Sequence, residues 1–310
     1  MPIMVFAYSD YIVAGGENIG LHINNNGVII SGFYKINNIY PGHDANLKIG
    51  DTITKVNNNE IKNIDEFINE IKDNRNDVID IKYIRNGKKY DTKLKLIYDG
   101  DVLKTGLYVK DMVSGIGTLT FIDPNTNKYG ALGHEVTEST SGVILEVKDG
   151  MIYESSVTSI EKSIRGEPGS KNATVNSKII YGNINENTQS GIFGDYTHNL
   201  NNDKLYKVGK YQDIKTGSAK IITVLDKDIK KEYSINIIKV NNNKKDNKNI
   251  LFELTDEELL KKTGGIVQGM SGSPIIQDDK IIGAVNNVVV NDPKKGYGIL
   301  ITTMLEESEN

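Results

Sequence analysis

The sequence predicts a mainly β chain: a small α+β unit over residues 15–99, followed by an antiparallel β-barrel over residues 100–310. Three observations carry this. An amphipathic helical pattern and an Asn-Gly hairpin signal fall before residue 100. After Asp99-Gly100-Asp101 the helical period disappears and short strand-like runs alternate with Gly, Asp and Asn turns. The chain has 310 residues, which is long enough for two domains that each bury a core.

Within the first unit, Asn18 to Ile23 and Gly27 to Ile30 read as short strands bracketing a turn at Asn24 to Asn26. Pro41-Gly42 opens a helical turn, and the Gly50-Asp51 corner leads into a strand through Ile53 and Lys55. Asn63 caps a helix whose apolar residues Ile64, Phe67, Ile68 and Ile71 follow the i, i+3, i+4, i+7 spacing. Strands Val78 to Arg85 and Lys88 to Ile97 meet at Asn86-Gly87, a pair that favours a tight hairpin. The run Pro-Gly-x-x-Ala-x-Leu-x-x-Gly-Asp-x-Ile, with the helix after it, resembles a PDZ domain of the bacterial peptidase-associated kind. Such domains add a peptide as an extra strand. The resemblance implies that Ile19, Gly20 and Leu21 receive it and that Phe67 and Ile71 line the groove. Read from the residues alone, the same side chains are the core of a small domain.

Further along, strands are expected at Gly117 to Ile122, Gly142 to Val147, Met151 to Tyr153, Lys178 to Tyr181, Ser218 to Leu225 and Tyr233 to Val240, with a turn at Asp149-Gly150. The polar, basic stretch Asn241 to Asn249 reads as a solvated loop. One helix, Asp256 to Lys262, is expected with Thr255 as N-cap, Glu258 completing a capping box and Gly264 stopping it.

Composition narrows the chemistry. Lys and Arg total 37 against 41 Asp and Glu, a net charge of −4, which argues against nucleic acid as a partner. Cysteine is absent, so thiol catalysis and disulfides are excluded. His22, His43, His134 and His198 share no metal-binding spacing, and neither a metal nor a cofactor is expected. The apolar start, Met1 to Tyr8, is too short to span a bilayer and lacks a basic leader.

Gly269-Met270-Ser271-Gly272-Ser273-Pro274 is followed by two apolar runs, Ile275-Ile276 and Ile281 to Val285, separated by Asp278-Asp279. A serine hydroxyl needs a base and oxyanion donors to become a nucleophile, and a glycine two positions earlier lets the amides of Gly269 and Ser271 converge. The stretch resembles the Gly-Asp-Ser-Gly-Gly-Pro turn of chymotrypsin-like peptidases, with Met270 where that group has an acid. Ser273 is the rival, but it precedes Pro274 and has no glycine two positions before it. His134, after Gly130-Ala131-Leu132-Gly133, precedes the serine in the chain order of those barrels and is the best base. For the acid, Asp256, Asp123 and Asp195 remain open on spacing alone.

Taken together, the PDZ-like unit, Gly115 to Phe121, Ala131 to His134, Asn187-Thr188 before Gly191 to Gly194, Thr263 to Pro274, and Val290 to Pro293 ahead of Gly296-Tyr297-Gly298 resemble the SpoIVB family of sporulation signalling serine peptidases. The resemblance runs from about Gly15 to about Ile301. It implies a chymotrypsin-like peptidase domain after the PDZ domain, with Ser271 as nucleophile, His134 as base and Asp256 as acid. It further implies self-cleavage and limited cleavage of a membrane-bound regulator, which releases sigma-factor processing. The expected location is the space between forespore and mother cell. Family members carry an N-terminal membrane segment, whereas this chain begins almost at the PDZ domain. A histidine often stands where Asn287 is here. A peptide-binding regulator with an inactive peptidase domain is the competing expectation.

Overall fold

The computed structural model describes residues 8–200, 204–243 and 247–309, so most of the apolar start and part of the basic 241–249 stretch lie outside the described residues. Two compact units are interleaved along the chain. One comprises Met1–His22, Ser114–Val136 and Gly150–Asn310, and the other Ile23–Val113 and Thr137–Asp149.

The smaller unit is α+β. Its strands are the second half of β1 (Asn18–Phe33), then β2 (Thr52–Val56), β3 (Val78–Arg85), β4 (Lys88–Lys95) and the first half of β5 (Leu107–Ile122). Helices α1 (Pro41–Asp44) and α2 (Ile64–Asp73) complete it. Asn63 caps α2 as its sequence predicts, its side chain accepting from the Glu66 amide at 2.8 Å. Asn86 and Gly87, at φ 51° and 72°, form the tight turn that sets Arg85 opposite Lys88. Val28, Ile30, Ile53, Phe67, Ile79 and Ile81 fill the core.

Several local expectations are corrected. Asn24 to Asn26 do not turn, and β1 runs on through them with Gly27 at φ 112°. A distant segment keeps them extended: the Asn26 amide donates to Glu146 O at 3.2 Å, and Asn25 Oδ1 accepts from the Glu146 amide at 3.1 Å. Residues 142–146 form no strand beyond an isolated bridge between Thr137 and Ile144. Their fold is set by the fully buried carboxylate of Glu138, which accepts from the Thr140 and Ser141 amides and pairs with Lys110. Asp149-Gly150 is likewise strand, inside β7 (Val147–Glu161).

The larger unit holds two β systems. Strand β6 (Lys128–Ala131) pairs with the end of β5 and with β9 (Gly191–Asp195), while β7 pairs with β8 (Ser170–Asn183). The second system is a closed six-stranded antiparallel barrel. It is built from β10 (Gly217–Val224), β11 (Lys230–Val240), β12 (Ile250–Leu254), β13 (Pro274–Gln277), β14 (Lys280–Val288) and β15 (Lys295–Leu300). The order round the barrel is β10-β11-β12-β15-β14-β13, with β13 returning to β10. Ile221, Ile235, Phe252, Met270, Ile275 and Val285 belong to its packed interior. Asp278 and Asp279, at φ 49° and 56°, make the β13–β14 turn.

Helix α3 (Glu257–Thr263) starts one residue later than expected, and its N-cap is Asp256 rather than Thr255. The Asp256 carboxylate reaches the Leu259 amide at 3.0 Å, three residues on. Gly264, at φ 70°, ends the helix as its sequence predicts. Helix α4 (Ile301–Ser308) follows β15 directly. Among the described residues, no helix is long and apolar enough to cross a membrane.

Candidate active site

Ser271 sits between the end of α3 and β13, in a turn whose glycines are both left-handed: Gly269 and Gly272 have φ 92°. Met270 takes the place where an acid was expected to hold such a turn. Its side chain is fully buried in the barrel interior, an anchor of about 2 kcal/mol. Two threonines of β5 finish the attachment. Thr118 Oγ1 donates to Gly269 O at 2.7 Å and Thr120 Oγ1 to Gly272 O at 2.8 Å. The Thr118 amide donates to Ser271 O at 3.1 Å, while Thr118 O accepts from the Leu132 amide at 3.2 Å. One residue thus ties the serine turn to the segment that carries His134.

That segment leaves β6 through a three-residue turn closed by Gly133 N to Ala131 O at 2.9 Å. Leu132 adopts φ 70° there, a conformation costing a leucine on the order of 1 kcal/mol or more. Immediately afterwards the His134 Nδ1 lies 2.7 Å from Glu135 O. With a carbonyl as partner Nδ1 is the donor, so in the neutral ring Nε2 is the nitrogen free to accept. Asn187 then brackets Val136: its Oδ1 accepts from the Val136 amide at 2.7 Å, and its Nδ2 donates to Val136 O at 2.8 Å.

Neither the Gly269 nor the Ser271 amide donates a hydrogen bond among the described residues. Two backbone donors on either side of a buried methionine are unspent, and they belong to a partly exposed serine. The Ser271 hydroxyl itself donates to Asn286 O at 3.2 Å. Asn286 Nδ2 donates to Asn247 O at 3.1 Å and Asn247 Nδ2 to Ser190 Oγ at 3.3 Å, while Ser190 Oγ donates to Glu307 Oε1 at 3.0 Å.

The Asp256 carboxylate is occupied by α3 and β11, its Oδ1 accepting from the Leu259 amide at 3.0 Å and its Oδ2 from the Ser234 amide at 3.4 Å, and it makes no hydrogen bond to His134. Asp123 bonds the Ser9 amide, the Ser9 hydroxyl and the Asn125 amide. Asp195 is held below the ordinary carboxylate range by the Lys128 ammonium and the Asn185 and Asn183 amides. Ser273 is fully buried. Ile19, Gly20 and Leu21 are buried within β1 and belong to the larger unit, whereas Phe67 and Ile71, 4% and 7% exposed, belong to the core of the smaller one. Sequence reasoning missed Thr118, Thr120 and Asn286, whose roles depend on partners far away in the chain. Thr118 and Thr120 do alternate within Gly-Thr-Leu-Thr, which puts both hydroxyls on one face of a strand.

No curated protein matches the chain. Among solved structures, the PDZ domain of an SdrC-like protein from Listeria monocytogenes is 27% identical, covers 28% of this chain and 90% of that one, and superposes with a TM-score of 0.25. The Rv3671c protease of Mycobacterium tuberculosis, in an inactive form, is 13% identical, covers 61% of this chain and 80% of that one, with a TM-score of 0.32. A PDZ domain matches residues 18–96. The SpoIVB peptidase S55 family matches residues 101–305, more than half of the chain, so the protein belongs to that family and is a serine peptidase with a PDZ domain.

Proposed function

We propose that this serine peptidase is a narrow-specificity endopeptidase of sporulation signalling, which cleaves itself and a membrane-bound regulator and so releases sigma-factor processing. Its place of action is the space between forespore and mother cell, and its PDZ domain docks a peptide segment. The observation that supports a working peptidase site is the pair of unspent amides at Gly269 and Ser271, in a turn tied through Thr118 to the segment bearing His134. In this reading Ser271 Oγ attacks the scissile carbonyl and its proton passes to His134 Nε2. The two amides receive the negative charge that develops on the carbonyl oxygen. His134 then returns the proton to the leaving amine, and water repeats the sequence on the acyl-enzyme. Asp256, the acid by family resemblance, joins the relay once His134 Nδ1 leaves Glu135 O.

A second reading, an inactive peptide-binding regulator, is favoured by one observation: Ser271 Oγ is bonded to Asn286 O, while the Asp256 carboxylate is spent on α3. A fluorophosphonate probe separates the two. The proposed peptidase is labelled and self-cleaves, and Ser271→Ala loses both. Labelling that survives in Ser271→Ala assigns the nucleophile elsewhere, and a wild-type chain that is neither labelled nor cleaved supports the regulator.

A further inference from the structure

Lys171, on β8, is 3% exposed and makes no ion pair among the described residues. Its amine has one partner, donating to Thr223 Oγ1 at 3.0 Å. The stem runs along the back of the serine turn: a Cβ on Gly269 would stand 3.2 to 3.3 Å from Lys171 Cβ, Cγ and Cδ. The main chain joins there as well, the Lys171 amide donating to Gln268 O at 2.9 Å and the Gln268 amide to Gly169 O at 2.8 Å. The strand end at Thr223 is also incomplete. The β10–β13 register pairs Lys220 with Ile276 and Ile221 with Ile275, and Thr223 and Ser273 follow at the same end of these adjacent strands, beyond the last pair. Ser273 Oγ is buried and has no hydrogen-bond partner. A buried amine with spare capacity and, two residues beyond the nucleophile, a buried hydroxyl with none of its bonds made thus lie at this end of the two strands.

We propose that Lys171 is a positioning residue for the nucleophile turn: its stem backs Gly269 and its amine holds Thr223 at the same strand end as Ser273, so the reactivity of Ser271 follows an amine that never meets substrate. The proposal rests on Ser271 being the nucleophile. Charge enters through burial, which alone brings the amine down to about 7. The titratable groups on the adjoining strands are engaged elsewhere. Glu161 on β7 bonds Ser170 and Asn172, and Lys231, across from Thr223 on β11, pairs with Glu258. The neutral amine has a lone pair and can accept as well as donate; the ammonium can only donate, and it is left without a counter-charge. The bond from the amine to Thr223 is therefore sensitive to pH near neutrality.

The test uses the full chain with Lys171→Met, Thr223→Val and Thr223→Ser, each checked for folding by near-UV circular dichroism. The rate of fluorophosphonate labelling is expected to fall roughly tenfold or more in Lys171→Met and Thr223→Val and to return in Thr223→Ser, because small displacements of oxyanion donors cost this much. Wild-type labelling by a folded Lys171→Met overturns the proposal. If that variant does not fold, wild-type labelling by Thr223→Val overturns it instead. The Gly269 amide, followed by NMR from about pH 5 to about pH 9, reads the coupling without catalysis. It is expected to titrate in wild type and in Ser271→Ala but not in a folded Thr223→Val. An unlabelled wild type whose Gly269 amide still titrates refutes the nucleophile assignment while the coupling stands; an amide that does not move overturns the coupling.

Discussion

At the scale of single residues, the two left-handed glycines of the serine turn are not equivalent. A Cβ on Gly272 would lie 2.2 Å from Thr118 O of β5 and 2.5 Å from the Leu132 amide nitrogen of the segment that carries the base, both backbone atoms. A Cβ on Gly269 would meet flexible lysine carbons at 3.2 Å and beyond. Gly272→Ala is therefore expected to cost several kcal/mol, roughly 3, and to abolish labelling, whereas Gly269→Ala costs about 1 kcal/mol from backbone strain. Urea unfolding of both variants measures the contrast, and equal losses would refute this account of the turn. Ser271 and His134 stand out in the sequence as the proposed pair because glycine flanks and chain order advertise them. Thr118 does not, since its bond to Gly269 spans 151 positions. Met270 looked like a missing acid, and burial in the barrel does the anchoring instead.

Helix α3 shows what one carboxylate can do at the scale of an element. As a cap, Asp256→Asn should retain stability because an amide oxygen can still accept from Leu259 N, while Asp256→Ala loses about 1 kcal/mol. If Asp256 also serves His134, the folded Asn variant is labelled roughly a hundredfold or more slowly, since it cannot carry the charge that orients and stabilises an imidazolium. Thermal melts and labelling rates together decide this, and unchanged labelling removes Asp256 from the relay. Caps and tight turns such as Asn63 and Asn86-Gly87 were readable because their bonds close within a few residues. The Asn24 to Asn26 turn was misread because Glu146, far along the chain, supplies the partner that keeps those residues extended. Local composition offered a turn, and a distant strand-like contact outcompeted it.

For the whole molecule, two buried groups make stability rise with pH in two separate windows. Burial raises the Glu138 carboxyl, but the Lys110 ammonium, the Ser141 amide and hydroxyl and the Thr140 amide outweigh it and bring it from 4.5 to about 2. A carboxylate depressed on folding stabilises the fold above its unfolded value, and that contribution is lost as pH falls through about 4.5 to 2. Glu138→Gln should flatten this acid limb in a pH series of denaturant midpoints. Lys171 acts in the same direction at higher pH. The unfolded chain holds its proton up to about 10.5 and the folded one to about 7, so stability rises with pH across that window. Lys171→Met should remove the rise, and its persistence would place the lysine in a wetter site than its 3% exposure indicates.

The interleaving of the two units reaches further than geometry. The peptidase unit draws on Tyr11–Ala14, which pairs with Phe121 and Ile122 and with Leu205 to Lys207, and it ends with α4. Residues 100–310 expressed alone lack that strand and are expected to be recovered misfolded, unless a peptide of residues 8–22 is supplied in trans.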